Sequence, residues 1–206
     1  MPIDHGSLRV MISRFFARWI SVVLMVCCPV LLWGATAGPD SSGLILIDSA
    51  EDDGPPHAQI EMGAGDVVAE GPVVLPFAFQ MGEDSHDEAL LALDGSLIFS
   101  GEVTPCVGAG SWSGFLTGSE AATIRHRVVG RFPRRGLVWD WDGAQLILLE
   151  DRDEGVIHLG DSHDGVGIGA QAGAGTGVSW TCGDGAVLSD RSAWVSQADS
   201  RSVAHQ

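Results

Sequence analysis

The chain contains no lysine, so each of its 11 cationic side chains is an arginine. Against these stand 27 aspartates and glutamates, which give the 206 residues a formal net charge of −16 at pH 7. A chain this acidic repels nucleic acid and anionic membrane surfaces, because both present dense negative charge. We therefore expect neither as a partner. The acidity is typical of a protein kept soluble outside the cell, and divalent-cation binding is the sharper alternative.

Cysteine is scarce, and two of the four cysteines lie in an N-terminal segment that has the pattern of an export signal. Three arginines open this segment: Arg9, Arg14 and Arg18. An apolar run, Trp19–Trp33, follows them and precedes the small residues Ala35-Thr36-Ala37. This order predicts a signal peptide over residues 1–37 that is cleaved between Ala37 and Gly38. We expect a mature chain that is secreted, periplasmic or on the cell surface, with no stable membrane insertion after cleavage.

Two other interpretations of the leader are disfavoured by single residues. An uncleaved anchor requires about 20 apolar residues, and this run is shorter and contains Pro29. A lipoprotein requires a small residue before the modified Cys27 or Cys28, and Val26 is too large. Cleavage removes three arginines and one aspartate, so the net charge of the mature chain becomes −18.

Cys106 and Cys182 are the only cysteines of the mature chain. An even number of cysteines in an exported domain predicts a disulfide between them. Closure of a loop of this size contributes roughly 3–4.5 kcal/mol, chiefly by restricting the unfolded chain. Two buried free thiols are the alternative, because a sequence does not show the distance between the two residues.

A sustained helical period is also missing after residue 38. Short apolar runs separated by turn formers every 8–12 residues predict an all-β antiparallel sandwich, jelly-roll or immunoglobulin-like in general architecture. We expect an acidic, Gly/Pro-rich lead-in with a short strand over 38–71, one sandwich domain over 72–196 and a polar tail over 197–206. The Gly/Ser-rich passage 108–118 is interpreted as a break between strands.

Three local patterns add detail to the predicted β-sandwich. Period-two alternation places Trp139 and Trp141 on one face of a strand and Asp140 on the other. Asp94-Gly95 between two apolar runs predicts a β-hairpin. Pro76 predicts an edge position or the start of a strand, because proline has no N–H to donate.

Four segments occur in the order found in an exported bacterial module. They are Pro76–Phe79 with Leu93–Phe99, Val128–Trp141, Leu148–Ile157 and Val166–Cys182. They resemble the PFxFxF…NGxLxF, RRFVVEW, VLYEDGxI and VGIE…GTxGxxYSC patterns of a β-sandwich akin to the nidogen extracellular domain. The resemblance covers about residues 72–196 and implies one module of a surface or secreted protein.

The chain departs from that family at two places. Only Trp112, within Gly110–Gly114, stands near the position of the family's aromatic and acidic segment, so no role of its paired carboxylates carries over. Met81–Asp84 replaces an aromatic turn, in a chain that has no tyrosine.

Catalytic motifs are weak. A nucleophile elbow requires G-x-S-x-G, and Gly110–Gly114 has Trp112 at the serine position. A carboxylate-based hydrolase would use a pair such as Asp140 and Asp142, which we expect to point to solvent beside Gly143. We therefore expect no enzyme activity, with this hydrolase as the least favoured alternative.

Acidic turns are the candidate calcium ligands, because calcium takes six to eight oxygen ligands from carboxylates, carbonyls and water. The candidates are Asp84, Asp87, Asp151, Asp153, Asp161 and Asp164. Asp151 and Asp153 precede Gly155 as in the start of a calcium loop, but the later ligands of an EF-hand are missing. No firm metal site and no cofactor follow from this pattern, although calcium remains an alternative. The other interpretation is that these charges keep the ends of the strands soluble.

Trp112 is the candidate binding residue, since it lies in a Gly/Ser-rich loop, where binding residues concentrate. The remaining tryptophans are expected to fill the core. His86, His158 and His163 have no zinc spacing, and His158 is expected on the solvent face or at an edge. The sequence thus predicts a non-catalytic recognition or structural module for an unknown extracellular protein or glycan. A calcium-dependent carbohydrate- or protein-binding adhesion module is the alternative.

Overall fold

The computed structural model describes residues 38–49, 59–104, 107, 109–160, 167–182 and 191–197. The predicted signal peptide, with its cleavage site before Gly38, and the tail beyond Gln197 lie outside these ranges. Within the described ranges, no helix has the length and apolarity needed to cross a membrane.

The described residues form two antiparallel sheets that pack face to face, so the predicted all-β sandwich is confirmed. The strands of the seven-stranded sheet are β1 (Leu44–Asp48), β2 (Val67–Val68), β7 (Ile124–Arg131), β8 (Arg134–Trp141), β9 (Ala144–Leu149), β10 (Glu154–Leu159) and β13 (Arg191–Gln197). Those of the six-stranded sheet are β3 (Gly71–Met81), β4 (Asp84–Leu91), β5 (Ser96–Gly101), β6 (Trp112–Leu116), β11 (Ile168–Ala172) and β12 (Gly177–Thr181). The first sheet has the order β1-β13-β10-β9-β8-β7-β2, and the second has the order β12-β11-β6-β5-β4-β3.

The core lies between the inner faces of the two sheets. Trp139 and Trp141 project into it from β8, and both are almost fully buried, as their period-two spacing predicts. From the opposite sheet, Phe79 and Phe115 meet edge to face with their ring centroids 6.0 Å apart. Aromatic side chains from both sheets therefore supply much of the buried apolar surface.

Two local predictions are also confirmed. Asp94 and Gly95 lie in the turn that joins β4 to its antiparallel neighbour β5. Pro76 lies in β3, the edge strand of the six-stranded sheet. A missing N–H is tolerated there, because the outer side of an edge strand pairs with no neighbour.

The Gly/Ser-rich passage contains a strand, so its interpretation as a break between strands is wrong. Trp112–Leu116 forms β6, which pairs with both β5 and β11, and every one of its residues is buried. A Cβ on Gly114 would lie 2.1 Å from Leu97 O, so glycine permits close approach of the backbones here. The small residues that are typical of a loop are the ones that the buried strand β6 requires.

The predicted lead-in supplies part of the sandwich. β1 pairs with β13 along its whole length, and β2 pairs with the start of β7. Between them, Ile60 and Met62 pack on the outer face of the seven-stranded sheet, against Val138, Ile147 and Val156. The lead-in therefore contributes both edge strands of the seven-stranded sheet and a cover for one of its faces.

Candidate functional site

One end of the sandwich carries an open cavity of about 640 Å³, which we call the loop-end cavity. Three connections line it: β2–β3, β4–β5 and β6–β7. The lining residues are Glu70, Ala92–Asp94 and Glu120–Ala122. Small or apolar side chains and carboxylates thus share one concave surface, on loops that a rigid scaffold positions.

Hydrogen bonds hold two walls of the loop-end cavity to each other. Leu93 O accepts from the Ala121 N–H at 3.0 Å, and Gly95 O accepts from both the N–H and the Oγ1 of Thr117 at 2.9 Å. Gly95 has φ 82°, and a Cβ there would lie 2.5 Å from Thr117 Oγ1. The turn therefore requires glycine, and its conformation is set before any ligand arrives.

A core tryptophan attaches these walls to the sandwich. The Trp141 Nε1–H donates to Ala92 O at 2.8 Å, and the Ser119 Oγ–H donates to Trp141 O at 3.1 Å. Trp141 is fully buried, so one core residue is linked to both walls, through its indole N–H to Ala92 and through its backbone carbonyl to Ser119. Loops that are tied to a core in this way lose little conformational entropy on binding.

Three carboxylates dominate the electrostatics of the loop-end cavity. Glu70 and Glu120 are exposed, whereas Asp94 Oδ1 accepts from the N–H and Oγ–H of Ser96 at 3.1 and 2.6 Å. No arginine or histidine is among the described residues that line the cavity. The surface thus fits a group that carries positive charge or hydroxyls beside an apolar part.

Trp112 is buried in the structure, so the prediction that it is an exposed binding residue is wrong. It opens β6, is 1% exposed, and donates from Nε1 to Ala109 O at 3.1 Å. The loop before it is anchored to the sheet by the Gln171 amide, which donates to Gly173 O at 2.9 Å and to Ala109 O at 3.3 Å. This indole anchors its loop and presents no surface to a saccharide.

The predicted disulfide falls partly outside the described residues, because Cys106 lies outside them. Cys182 directly follows β12. The residue after Cys106, Val107, packs on that same strand, since a Cβ on Gly177 would lie 2.4 Å from Val107 Cγ1. The bridge between Cys106 and Cys182 stays a prediction, supported by this contact.

The candidate calcium ligands are divided between separate elements. Asp84 and Asp87 are exposed residues of β4, not of a turn, while Asp151 and Asp153 lie in the β9–β10 turn. Asp161 and Asp164 lie outside the described residues. In the part of the chain that the structure describes, no three His, Cys, Asp or Glu side chains are placed to hold a metal ion together.

The two carboxylates of the β9–β10 turn have partners within the protein. Asp151 lies 3.6 Å from Arg134 Nε and 4.0 Å from Arg152 Nε. Asp153 Oδ1 accepts from the Gln80 N–H at 3.2 Å, which joins this turn to the end of β3. Both side chains therefore have partners within the protein and need no metal ion to hold them.

We expect the double substitution Asp151→Ala and Asp153→Ala to leave any calcium-dependent change in the melting temperature as it is in the unsubstituted protein. Only a ligand that prefers the folded state raises its stability, and these carboxylates already have intramolecular partners. The measurement is a pair of thermal melts in excess calcium and in excess EDTA. A calcium-dependent rise that disappears in the variant would contradict this expectation and would restore this turn as a calcium site.

Asp140 and Asp142, the carboxylates of the hydrolase alternative, occupy different environments. Asp142 is exposed in the β8–β9 turn with φ 50°, whereas Asp140 is 3% exposed on the outer face of β8. Asp140 Oδ2 accepts from the Gln145 Nε2–H at 2.7 Å, and Arg125 Nη1 lies 3.8 Å from Oδ1. The expectation that both point to solvent is wrong for Asp140.

Asp140 belongs to a polar row that crosses the outer face of the seven-stranded sheet. Cross-strand partners form the row in the order Arg125, Asp140, Gln145, His158 and Ser192. The Gln145 amide also clamps the lead-in, since Nε2 donates to Ile60 O at 2.7 Å and Oε1 accepts from the Ile60 N–H at 2.9 Å. Its side chain thus pairs with a backbone as a neighbouring strand would.

His158 is buried in that row, so its expected place at the solvent face or an edge is wrong. It is 5% exposed, and its strand β10 lies between β9 and β13. His158 Nδ1 lies 2.9 Å from Ser192 Oγ, but Ser192 is fully buried. A nucleophilic serine must be reached by its substrate, and this one is closed off.

His86 lies in the other sheet, so the fold does not bring it to His158. Its ring stacks on Phe99 with centroids 4.7 Å apart. Burial lowers the pKa of His86, and the neighbouring carboxylates of Asp84 and Asp87 partly oppose that shift. The third histidine considered, His163, lies outside the described residues.

The residues of the loop-end cavity carried no motif of their own. Only Asp94-Gly95 had a sequence signal, and that signal was for a hairpin and not for a site. Glu70 and Glu120 lie 50 positions apart in sequence, and they line the same cavity because the β2–β3 and β6–β7 connections lie at the same end of the sandwich. No family model, curated protein or solved structure matches the chain.

Proposed function

We propose that this protein is a non-catalytic recognition module that acts outside the cytoplasm and binds an extracellular partner in its loop-end cavity. The observation that carries the proposal is the cavity itself, whose lining of three carboxylates and small apolar side chains is held by hydrogen bonds to the core. The predicted signal peptide and the net charge support the location. The motif resemblance to a nidogen-like module supports the class of protein.

The chemistry of the cavity narrows the range of ligand classes that it can bind. Glu70, Asp94 and Glu120 attract a cationic group, and Leu93 with its neighbouring alanines accepts apolar surface. A protein segment that bears an arginine or lysine beside an aromatic residue combines both features. A glycan offers hydroxyls to the carboxylates and is the alternative ligand.

Two variants with the same charge change test the proposal. Glu120→Arg places a cation in the cavity, and Glu102→Arg places one at an exposed position outside it. The probes are arrays of short cationic, neutral and acidic peptides and of neutral and sulfated saccharides. We expect the unsubstituted protein to bind cationic peptides, Glu120→Arg to weaken that binding roughly ten-fold, and Glu102→Arg to retain it.

Equal binding by Glu120→Arg and Glu102→Arg would overturn the proposed site, because the cavity charge would then contribute nothing. Absence of binding to every peptide and saccharide class would overturn the proposed ligand chemistry. Thermal melts of both variants, matched to that of the unsubstituted protein, exclude unfolding as the cause of lost binding.

A further inference from the structure

A second surface feature lies at the tip of the β7–β8 hairpin, formed by Arg131–Arg134. Phe132 is 77% exposed there, although burial of its ring would remove apolar surface from water. Two exposed arginines flank it. The Arg134 side chain is 83% exposed, and Arg131 is exposed and has no ion pair to any described residue. The tip thus presents one exposed aromatic residue between two arginines, and both residue types are enriched in protein–protein interfaces.

Packing below the tip keeps Phe132 in this exposed position. The Arg135 guanidinium lies 5.8 Å from the centre of the Phe132 ring and 5.5 Å from that of Phe77. The same group donates to both carboxylate oxygens of Glu150, at 2.7 and 2.5 Å. The tip is thus a preformed projection, and its ring is supported from below by a fixed cation.

The tip and the loop-end cavity lie at opposite ends of the sandwich. β7 begins at Ile124, two residues after the cavity residue Ala122, and ends at Arg131. Eight strand residues separate the two ends by roughly 23 Å. β8 returns from the tip to Trp141, which donates to Ala92 O in the cavity wall.

The two surfaces are opposite in charge, and one projects where the other is concave. The tip projects one aromatic ring and two arginines, and the cavity is concave, with an apolar lining and three carboxylates. Its 640 Å³ exceeds the volume of a phenylalanine side chain. Arg134 also lies 3.6 Å from Asp151 of its own chain, so Arg131 brings the less compensated charge.

We infer that the loop-end cavity of one molecule receives the Arg131–Arg134 tip of a second copy of this chain. The inference rests on the proposed function and names the partner of the same cavity. Because tip and cavity differ, the contact is heterologous, and each added copy leaves one free tip and one free cavity, so copies add one after another into open chains or closed rings. The contact is small, so we expect a dissociation constant between about 100 µM and about 1 mM.

The net negative charge of each copy opposes this association only at long range. At physiological salt, the screening length is about 8 Å, so the charges at the contact decide the outcome. A contact of this kind weakens in high salt, because its ion pairs are exposed at the rim.

Sedimentation velocity on the exported, oxidised protein tests the inference with two complementary variants. Phe132→Ser removes the tip and keeps the cavity, and Glu120→Arg blocks the cavity and keeps the tip. From about 10 µM to about 1 mM, we expect the unsubstituted protein to form growing oligomers and each variant alone to remain monomeric. A mixture of the two variants is expected to form a 1:1 complex that does not grow, because its remaining tip and cavity are both disabled.

Matched controls are Val74→Ser, which removes an equally exposed apolar residue of β3, and Glu102→Arg. Both are expected to associate as the unsubstituted protein does. A monomeric unsubstituted protein, or a mixture that stays monomeric, would overturn the inference. If Glu120→Arg still weakens peptide binding in that case, the proposed recognition function stands and only self-association falls.

Discussion

Replacement of Asp48 by alanine is expected to lower the free energy of unfolding by about 3 kcal/mol, the lower end of the range for breaking a buried ion pair. Asp48 is fully buried at the end of β1, where its Oδ1 accepts from Arg191 Nε–H at 3.1 Å. Its Oδ2 accepts from the Trp180 Nε1–H at 2.7 Å and from Arg191 Nη2. One carboxylate therefore joins β1 and β13 of one sheet to β12 of the other.

The cost arises from the groups that the substitution leaves behind. Arg191, whose guanidinium lies 5.6 Å from the centre of the Trp180 ring, loses both of these charge-assisted bonds. The Trp180 N–H also loses its acceptor. Arg191 is 31% exposed in its side chain and reaches water, which is why the expected loss lies at the low end of the range.

Chemical denaturation and thermal melting measure the effect, and the expected decrease in melting temperature is roughly 6–12 °C. The control is Asp87→Ala, which removes an exposed aspartate of β4 and is expected to shift the melting temperature by less than about 2 °C. Asp48→Asn keeps an acceptor for the Trp180 N–H and removes the charge, so we expect an intermediate loss. Equal stability of Asp48→Ala and Asp87→Ala would contradict the structural role of the ion pair.

The sandwich was predictable from sequence because period-two alternation and turn chemistry are local. Trp139 and Trp141 face the core because adjacent positions of a strand face opposite sides. Asp94-Gly95 marks its hairpin because the turn needs a positive φ that glycine adopts without strain. Neither inference depends on which strands become neighbours.

Burial on the outer face was not predictable, because it depends on a distant segment. Alternation places Asp140 opposite the tryptophans, and on an uncovered sheet that position would face water. Here Ile60 lies over Gln145, and the Gln145 amide then bonds to Asp140. The contact spans 85 positions in sequence, so no local pattern announces it.

The loop-end cavity was unpredictable for a related reason. Its carboxylates Glu70, Asp94 and Glu120 belong to three separate connections, and each looks like an ordinary solvated charge in sequence. Strand order alone brings them to one end of the sandwich. The buried strand β6 was missed because Gly114 allows close packing of backbones and also resembles a loop residue.

Trp141 connects the stability of the core to the shape of the loop-end cavity, and its substitution is expected to affect both. Trp141→Ala removes a fully buried indole, which costs about 3–5 kcal/mol in stability. Trp141→Phe keeps an aromatic ring in the core but removes the N–H that donates to Ala92 O at 2.8 Å. We expect this milder variant to lose about 1 kcal/mol more in stability than the same change at Trp139, and to loosen the cavity wall.

Trp139→Phe is the matched control for this milder variant. Trp139 lies two residues away on the same face of β8, and its buried Nε1 has no hydrogen-bond partner among the described residues. Both variants lose the same atoms from the core, but only Trp141→Phe breaks a hydrogen bond to the cavity wall. Hydrogen exchange at the Ala121 amide, which donates to Leu93 O, reports on that wall. We expect faster exchange at this amide, and weaker peptide binding, in Trp141→Phe than in Trp139→Phe. Equal exchange in the two variants would show that the wall holds its shape without the indole.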